Sequence, residues 1–415
     1  MMVPLMMRLN FITNTLKWCC GKIMNTGSLW TEAILTLVVA VGVTIALIPL
    51  AKKLAIKLDA IDYPSARRVN MLPIPRLGGV AMFGGLVASI VLILIGSEFW
   101  GWVNPFHITS ESTINYYGVA FGVVVMFAVG VIDDLKDLTP KKKLIGQIIA
   151  SCIVAGSGLL LADIVNPFGS GFIELGIWAY PITVFYLVAF ANIINLIDGL
   201  DGLASGITAI SASCIFVFAF FSGKIDAALL CIIIVGVCLG FLTKNFHPAS
   251  VFMGDSGALT LGFGLGIVSL VAVARSALVL SLVVPILAAG VPIIDTAFAI
   301  IRRKRQHHRI DEADKGHIHH QLMRAGFSQR KTVFIMWGWT AALSICALLI
   351  VFLDSNYRIP VIIFIAVLSG YLIKKLHLLG PVLAHHFHPR GRFRKGDSLS
   401  EQKESNSAVS VDSNK

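Results

Sequence analysis

Charge is scarce in this sequence. Asp, Glu, Lys and Arg make up 14% of its 415 residues, against about 25% in soluble domains. With 56% hydrophobic residues and a mean hydropathy of +0.81, an ordinary soluble globule is excluded. No segment alternates apolar and polar residues with a period of two, so a membrane β-barrel is excluded as well. The seven cysteines lie mostly inside apolar runs and show no ligand-like spacing, which leaves them as small packing residues. The first strong apolar run is too long for a signal peptide and lacks a small-residue cleavage site.

What is present is a series of apolar runs about 20 residues long, the length that crosses about 30 Å of hydrocarbon as helix. Eleven can be marked, at 29–50, 77–97, 117–132, 144–163, 178–196, 203–221, 225–243, 257–274, 276–301, 332–353 and 358–376. The expected fold is therefore all-α, a polytopic membrane bundle of about 11 transmembrane helices. Residues 1–28 form a short N-terminal segment, 29–376 the membrane domain, and 377–415 a polar tail expected to be disordered.

The net charge of +11 points to topology rather than to nucleic acid. With eleven crossings, 28 of the 34 Lys and Arg fall on one side, in 51–76, 134–143, 302–331, the tail from 374, and at Lys244. The positive-inside rule makes that side cytosolic and puts the N-terminus outside. Arg8, Lys17 and Lys22 run against this assignment.

The unusual residues gather on the same side. The first connection reads Asp59 to Asn70 and then Pro73-Ile-Pro75-Arg76-Leu-Gly78-Gly79, equally readable as a basic topogenic loop. The second carries Asp133, Asp134 and Asp137, followed by Lys141, Lys142, Lys143 and Gln147. Charges at the membrane boundary are costly, so adjacent carboxylates there suggest a divalent cation, a proton acceptor or a cationic neighbour. An interfacial Asp/Lys turn is the plainer alternative. The third, Asn192 to Gly206, contains Asn195, Asp198 and Asp201 but no Lys or Arg, so topology does not explain it. Hard oxygen ligands of this kind suit Mg²⁺ and phosphates.

The fourth holds Asn245, His247, Phe252, Gly254 and Asp255. Phe252 offers an aromatic face, and Asp255 also fits a helix N-cap. The fifth begins near Asp295, passes Arg302 and Arg303, and ends at His317-Ile-His319-His320. Imidazole donors beside Arg suit phosphate oxygens better than zinc, which would want Cys or Glu at other spacings. A solvated basic loop is the bland reading. Five such stretches on one face are hard to attribute to chance.

In this order the motifs Pro-Arg-Leu-Gly-Gly, Asp-Asp-x-x-Asp, Asn-x-x-Asn-x-x-Asp-Gly-x-Asp-Gly-Leu-Ala, Phe-Met-Gly-Asp-Ser-Gly and His-Ile-His-His resemble the polyprenyl-phosphate N-acetylhexosamine-1-phosphate transferases. The match runs from about residue 35 to 375, closest to the branch that uses undecaprenyl phosphate and UDP-GlcNAc to start teichoic acid, O-antigen or related polymers. The resemblance implies an enzyme of the bacterial inner membrane with a cytosolic active site, dependent on Mg²⁺, with replacement by Mn²⁺ left open. Asn195 and Asp255 would hold the metal. Asp133 would be the base, with Asp134 beside it, and Asp198, His317, His319 and His320 would complete the catalytic pocket. Lys143 would contact pyrophosphate and Asp201 and Phe252 the uracil, with Arg76, Asn245 and Arg303 also facing substrate. A homodimer is the assembly the analogy admits. Arg68 and Asn70 depart from the Lys and His common at those places, and Asn70 removes an ionisable group.

Two alternatives stay open. A phospho-N-acetylmuramoyl-pentapeptide transferase shares the chemistry and differs in donor. An ion-coupled transporter would instead place its polar residues near the bilayer midplane.

Overall fold

The computed structural model describes residues 27–63, 73–106, 114–165, 172–273, 282–305, 317–353 and 355–375. Arg68, Asn70, the polar tail and all but the end of the N-terminal segment lie outside the described residues. The chain runs through α1 (Gly27–Lys57), α2 (Gly78–Phe99), α3 (Tyr116–Lys136), α4 (Pro140–Gly156), α5 (Ala179–Ile197), α6 (Leu203–Phe221) and α7 (Ile225–Asn245). It continues through α8 (Gly254–Val273), α9 (Val283–Ala288), α10 (Gly290–Arg305), α11 (Ile318–Arg324), α12 (Gln329–Phe352) and α13 (Ser355–Lys375). Two short antiparallel hairpins interrupt the helices, β1 (Ile61–Asp62) with β2 (Ile74–Pro75), and β3 (Asp163–Val165) with β4 (Phe172–Glu174).

Among the described residues nine helices are long and apolar enough to cross a membrane. Helices satisfy their backbone polar groups internally, which hydrocarbon requires. The chain is an all-α, multi-pass membrane protein. Two of the eleven expected crossings take a shorter form. The run at 144–163 becomes α4, which begins at Pro140 and stops at Gly156 before a turn through Gly158. The run at 276–301 is broken, with α9 and α10 meeting at Ala289 and Gly290. Pro285 and Pro292 lack a backbone N–H, which costs nothing only in a first turn, so each sits just inside a new helix.

Helix α8 is the axis of the bundle. From Ser256 to Val273 it is buried along almost its whole length, and it packs against α2, α3, α5, α6 and α7. Small residues make this possible: a Cβ added to Gly262 would lie 2.5 Å from the Phe190 carbonyl oxygen of α5. By contrast, α13 leans mainly on α12 and presents Ile359, Ile363 and Phe364 outward. Three helix–loop–helix corners then meet at one end of the bundle: α3 to α4, α5 to α6, and α7 to α8.

Candidate active site

The first corner supplies charges of both signs. Asp133 and Asp134 occupy the last turn of α3, and Lys143 the first turn of α4. The Lys143 Nζ stands 2.7 Å from Asp255 Oδ1 and 2.9 Å from Asp133 Oδ2, and donates to Asn195 Oδ1 at 3.1 Å. Asn195 Nδ2 also donates to Asp255 Oδ1. Three oxygens, from α3, α5 and α8, therefore converge on one cationic position. Two carboxylates and an amide oxygen are a hard donor set of the kind Mg²⁺ prefers. Among the described residues no group of three or more His, Cys, Asp or Glu side chains is placed to hold a metal ion. Asn195 and Asp255 carry hard oxygens that would suit Mg²⁺, at a position that the Lys143 ammonium fills in this structure.

Asp134 faces another way. Its Oδ1 accepts from the Asp255 N–H at 2.8 Å and its Oδ2 from the Ser256 N–H at 2.9 Å. It caps α8 in trans, satisfying helix-start donors that would otherwise lack partners. The preceding Gly254 has φ +67°, and a Cβ there would fall 2.5 Å from Asp134 Oδ1. On α3, a Cβ at Gly130 would fall 2.5 Å from Ser256 Cα. These glycines let the backbone that carries Asp255 lie against α3. Arg76 donates from Nε and Nη2 to the Asp134 carbonyl at 3.0 and 2.7 Å, and from Nη2 to Asp137 Oδ1 at 2.7 Å. It closes the C-terminal end of α3, where cations are favoured.

The second and third corners are clasped together. Asn245 Oδ1 accepts from the Gly202 N–H at 3.0 Å and Ser205 Oγ at 3.3 Å, and its Nδ2 donates to the Val251 carbonyl at 3.0 Å. Asp201 Oδ2 pairs with His247 Nδ1 at 2.8 Å and accepts from the Ala249 N–H at 3.0 Å. Behind Lys143 and Asn195, Gln147 and Asn192 exchange amide hydrogen bonds between α4 and α5, at 3.3 and 2.5 Å. Asp198 sits in the corner after α5. Removal from water pushes its carboxyl up to about 8, reinforced by the negative charges of Asp255, Asp134 and Asp201.

The histidines roof the second corner. Asp295 on α10 is almost fully buried; its Oδ2 lies 3.0 Å from His317 Nδ1 and its Oδ1 accepts from the Ile318 N–H at 2.8 Å. His319 is buried against Gly199, where an added Cβ would meet its Nε2 at 2.7 Å. Burial, then the charge of His320, pushes its imidazole down to about 3, so it stays neutral. Among the described residues neither of its ring nitrogens has a hydrogen-bond partner. The His319 ring lies 5.7 Å from that of His317 and 4.3 Å from that of His320. Arg303 is buried on the helix that carries Asp295.

A sequence profile described as Glycosyl transferase family 4 matches residues 116–273, from the start of α3 to the end of α8. A Bacillus subtilis (strain 168) protein named probable undecaprenyl-phosphate N-acetylglucosaminyl 1-phosphate transferase is 38% identical over 73% of this chain and 81% of its own length. The chain belongs to glycosyl transferase family 4. A decaprenyl-phosphate N-acetylglucosaminephosphotransferase of Mycolicibacterium smegmatis is 32% identical over 82% of this chain and 88% of its own. A phospho-N-acetylmuramoyl-pentapeptide-transferase of Desulforamulus reducens is also 32% identical, over 66% and 81%.

The stretch matched to the family holds Asp133, Asp134, Lys143, Asn195, Asp198, Asp201, Asn245, Phe252 and Asp255. The fold brings Asp133, Lys143, Asn195 and Asp255 into direct contact. It turns Asp134, Arg76 and Asn245 toward internal partners, so these three hold the corners in place. Phe252 is half-buried, and its backbone bonds to Pro75 and Gly78 join its loop to the start of α2. Sequence reasoning passed over Asp295, His247 and the Gln147–Asn192 pair as site residues. For Asp295 the signal was an acid inside an apolar run, which marks function or a buried partner.

Proposed function

We propose that this family 4 member transfers GlcNAc-1-phosphate from UDP-GlcNAc to undecaprenyl phosphate, giving undecaprenyl-pyrophosphoryl-GlcNAc and UMP. An acceptor phosphate oxygen attacks the sugar-bearing phosphorus of UDP-GlcNAc. The bond from that phosphorus to the bridging oxygen breaks, and UMP leaves with the oxygen. The observation that carries this reading is the convergence of Asp133, Asn195 and Asp255 on the Lys143 ammonium at one end of a membrane bundle. Phosphoryl transfer asks for positioning and charge neutralisation more than for covalent chemistry.

Asn195 and Asp255 would hold Mg²⁺, which when bound neutralises charge on the pyrophosphate oxygens. Lys143 supplies a cation to the same oxygens. Asp133, whose Oδ1 accepts from the Leu138 N–H at 2.7 Å, keeps its other oxygen in the site to orient the acceptor phosphate or take its proton. The distribution of Lys and Arg supports a cytosolic site on the inner membrane. A homodimer is the assembly carried over from the family resemblance.

The 38% identity to the Bacillus subtilis protein and the Pro73-Ile-Pro75-Arg76-Leu-Gly-Gly stretch favour GlcNAc over a MurNAc-pentapeptide donor. Placement of the acids at helix ends disfavours a transporter. Mass spectrometry of the lipid formed from an equimolar mixture of UDP-GlcNAc and UDP-MurNAc-pentapeptide decides the donor. A phospho-GlcNAc adduct is expected; a muropeptide adduct would reassign the donor, and no adduct would remove the enzyme reading.

A further inference from the structure

Resting on that reading, we infer that Asp295 is a positioning residue for the transfer. It holds His317 with the proton on Nδ1, so that Nε2 is the nitrogen His317 offers to the phosphate and sugar groups of the donor.

Three observations carry this. Asp295 stands on α10, buried within the bundle, and both of its oxygens are engaged, one by the imidazole and one by the Ile318 N–H. Because Ile318 is the next residue after His317, the backbone and the ring are fixed together by one carboxylate. A carboxylate accepts hydrogen bonds only, so the nitrogen facing it must carry a proton. In the neutral ring Nε2 is then an acceptor, and in the imidazolium it is a second donor. His317 is itself buried, and its ring stacks at 6° on that of His319. Rotation about the ring axis is thereby restricted as well as proton placement.

Among the described residues the titratable groups around the ring are Asp295 on α10, against its Nδ1, and His319 on α11, with His320 beyond His319. His319 remains neutral, and among the described residues the negative side chain that pairs with His317 is Asp295. The arrangement matches the general pattern in which a carboxylate orients an imidazole whose far nitrogen does the work. Sequence spacing could not reveal it, because the two residues are separated by 22 positions and by the segment 306–316.

Asparagine at position 295 cannot reproduce the contact. If its oxygen serves the Ile318 N–H, its NH₂ faces His317 Nδ1 and forces the proton to Nε2. If it is turned over, the NH₂ faces the backbone N–H and that bond is lost.

The test is nitrogen-15 NMR of the full-length protein in nanodiscs, labelled at histidine, with H317Q identifying the His317 signals. The wild-type protein is expected to show the Nδ1–H tautomer and D295N the Nε2–H tautomer. In the transfer assay D295N should lose about tenfold to a hundredfold in kcat, the range typical of orienting residues behind imidazoles, with KM little changed. D295E, which retains the carboxylate, should recover part of that loss. A wild-type His317 in the Nε2–H tautomer would overturn the inference, and so would D295N with wild-type kcat. The wild-type spectrum needs no variant at position 295 to fold. It also needs no substrate: absence of transfer from any donor would remove the proposed function while the tautomer result stood alone.

Discussion

Replacing Asp134 with Asn leaves the shape of the side chain and removes its charge and one acceptor at the start of α8. Two backbone N–H groups, of Asp255 and Ser256, lose an ionised partner. A hydrogen bond to a charged acceptor contributes about 1.5–3 kcal/mol, and an anion at a helix start up to about 2 kcal/mol. The amide oxygen keeps one of the bonds in neutral form, while the NH₂ confronts the other N–H, at about 1–3 kcal/mol. Relief from burying a carboxylate offsets part of this, which leaves a net loss of about 2 kcal/mol. Since the disturbed backbone carries Asp255, turnover should fall together with stability. The assays are thermal unfolding in detergent and initial rates at saturating substrate and Mg²⁺. A melting point lowered by a few degrees with a lower kcat is expected. A variant that melts like wild type yet loses all turnover would refute the capping argument and give Asp134 a chemical role. One that keeps both stability and turnover would refute it more simply.

Gly130→Ala places a Cβ 2.5 Å from Ser256 Cα, backbone that cannot rotate aside, and should destabilise by about 1–3 kcal/mol with a matching loss of rate. Gly42→Ala, with nothing within 4 Å of its added Cβ, is the control and should behave as wild type. Lys143→Met strands Asp133, Asn195 and Asp255 around a missing cation; breaking such a partly buried network costs about 3–5 kcal/mol, read as a lower melting point and loss of transfer. In metal-free protein, Asp198 titrates near 8, above the ordinary carboxylate range. Because its folded pKa is raised, its contribution to stability is full below about pH 4 and is lost as pH rises through about 8. Melting points should therefore fall from pH 6 to pH 8.5, and Asp198→Asn should flatten that slope.

Much of the architecture was legible because hydrocarbon leaves little choice. Apolar runs of fixed length become helices, and polar residues between them can only collect at the two ends. That reasoning located the α3–α4, α5–α6 and α7–α8 corners and the acids they carry. Composition alone does not show that Pro285 and Pro292 sit just inside separate helices. Spacing also cannot assign direction. Asp133 and Asp134 are neighbours in sequence but about 100° apart around a helix, so one meets Lys143 and the other meets the start of α8. Arg76 and Asn245 read as substrate contacts because they adjoin the motifs, whereas their partners are a helix end and two loops. The pairing of Asp295 with His317 depends on tertiary packing across a long connection and leaves no local trace.

The most direct test of the central claim is label transfer by the purified protein in nanodiscs containing undecaprenyl phosphate, with sugar-labelled UDP-GlcNAc and Mg²⁺. Label should enter the lipid phase in step with UMP release, and both should vanish with EDTA and in Asp255→Ala. Transfer that persists undiminished in folded Asp255→Ala would contradict the assignment of the site to the convergence of Asp133, Lys143, Asn195 and Asp255.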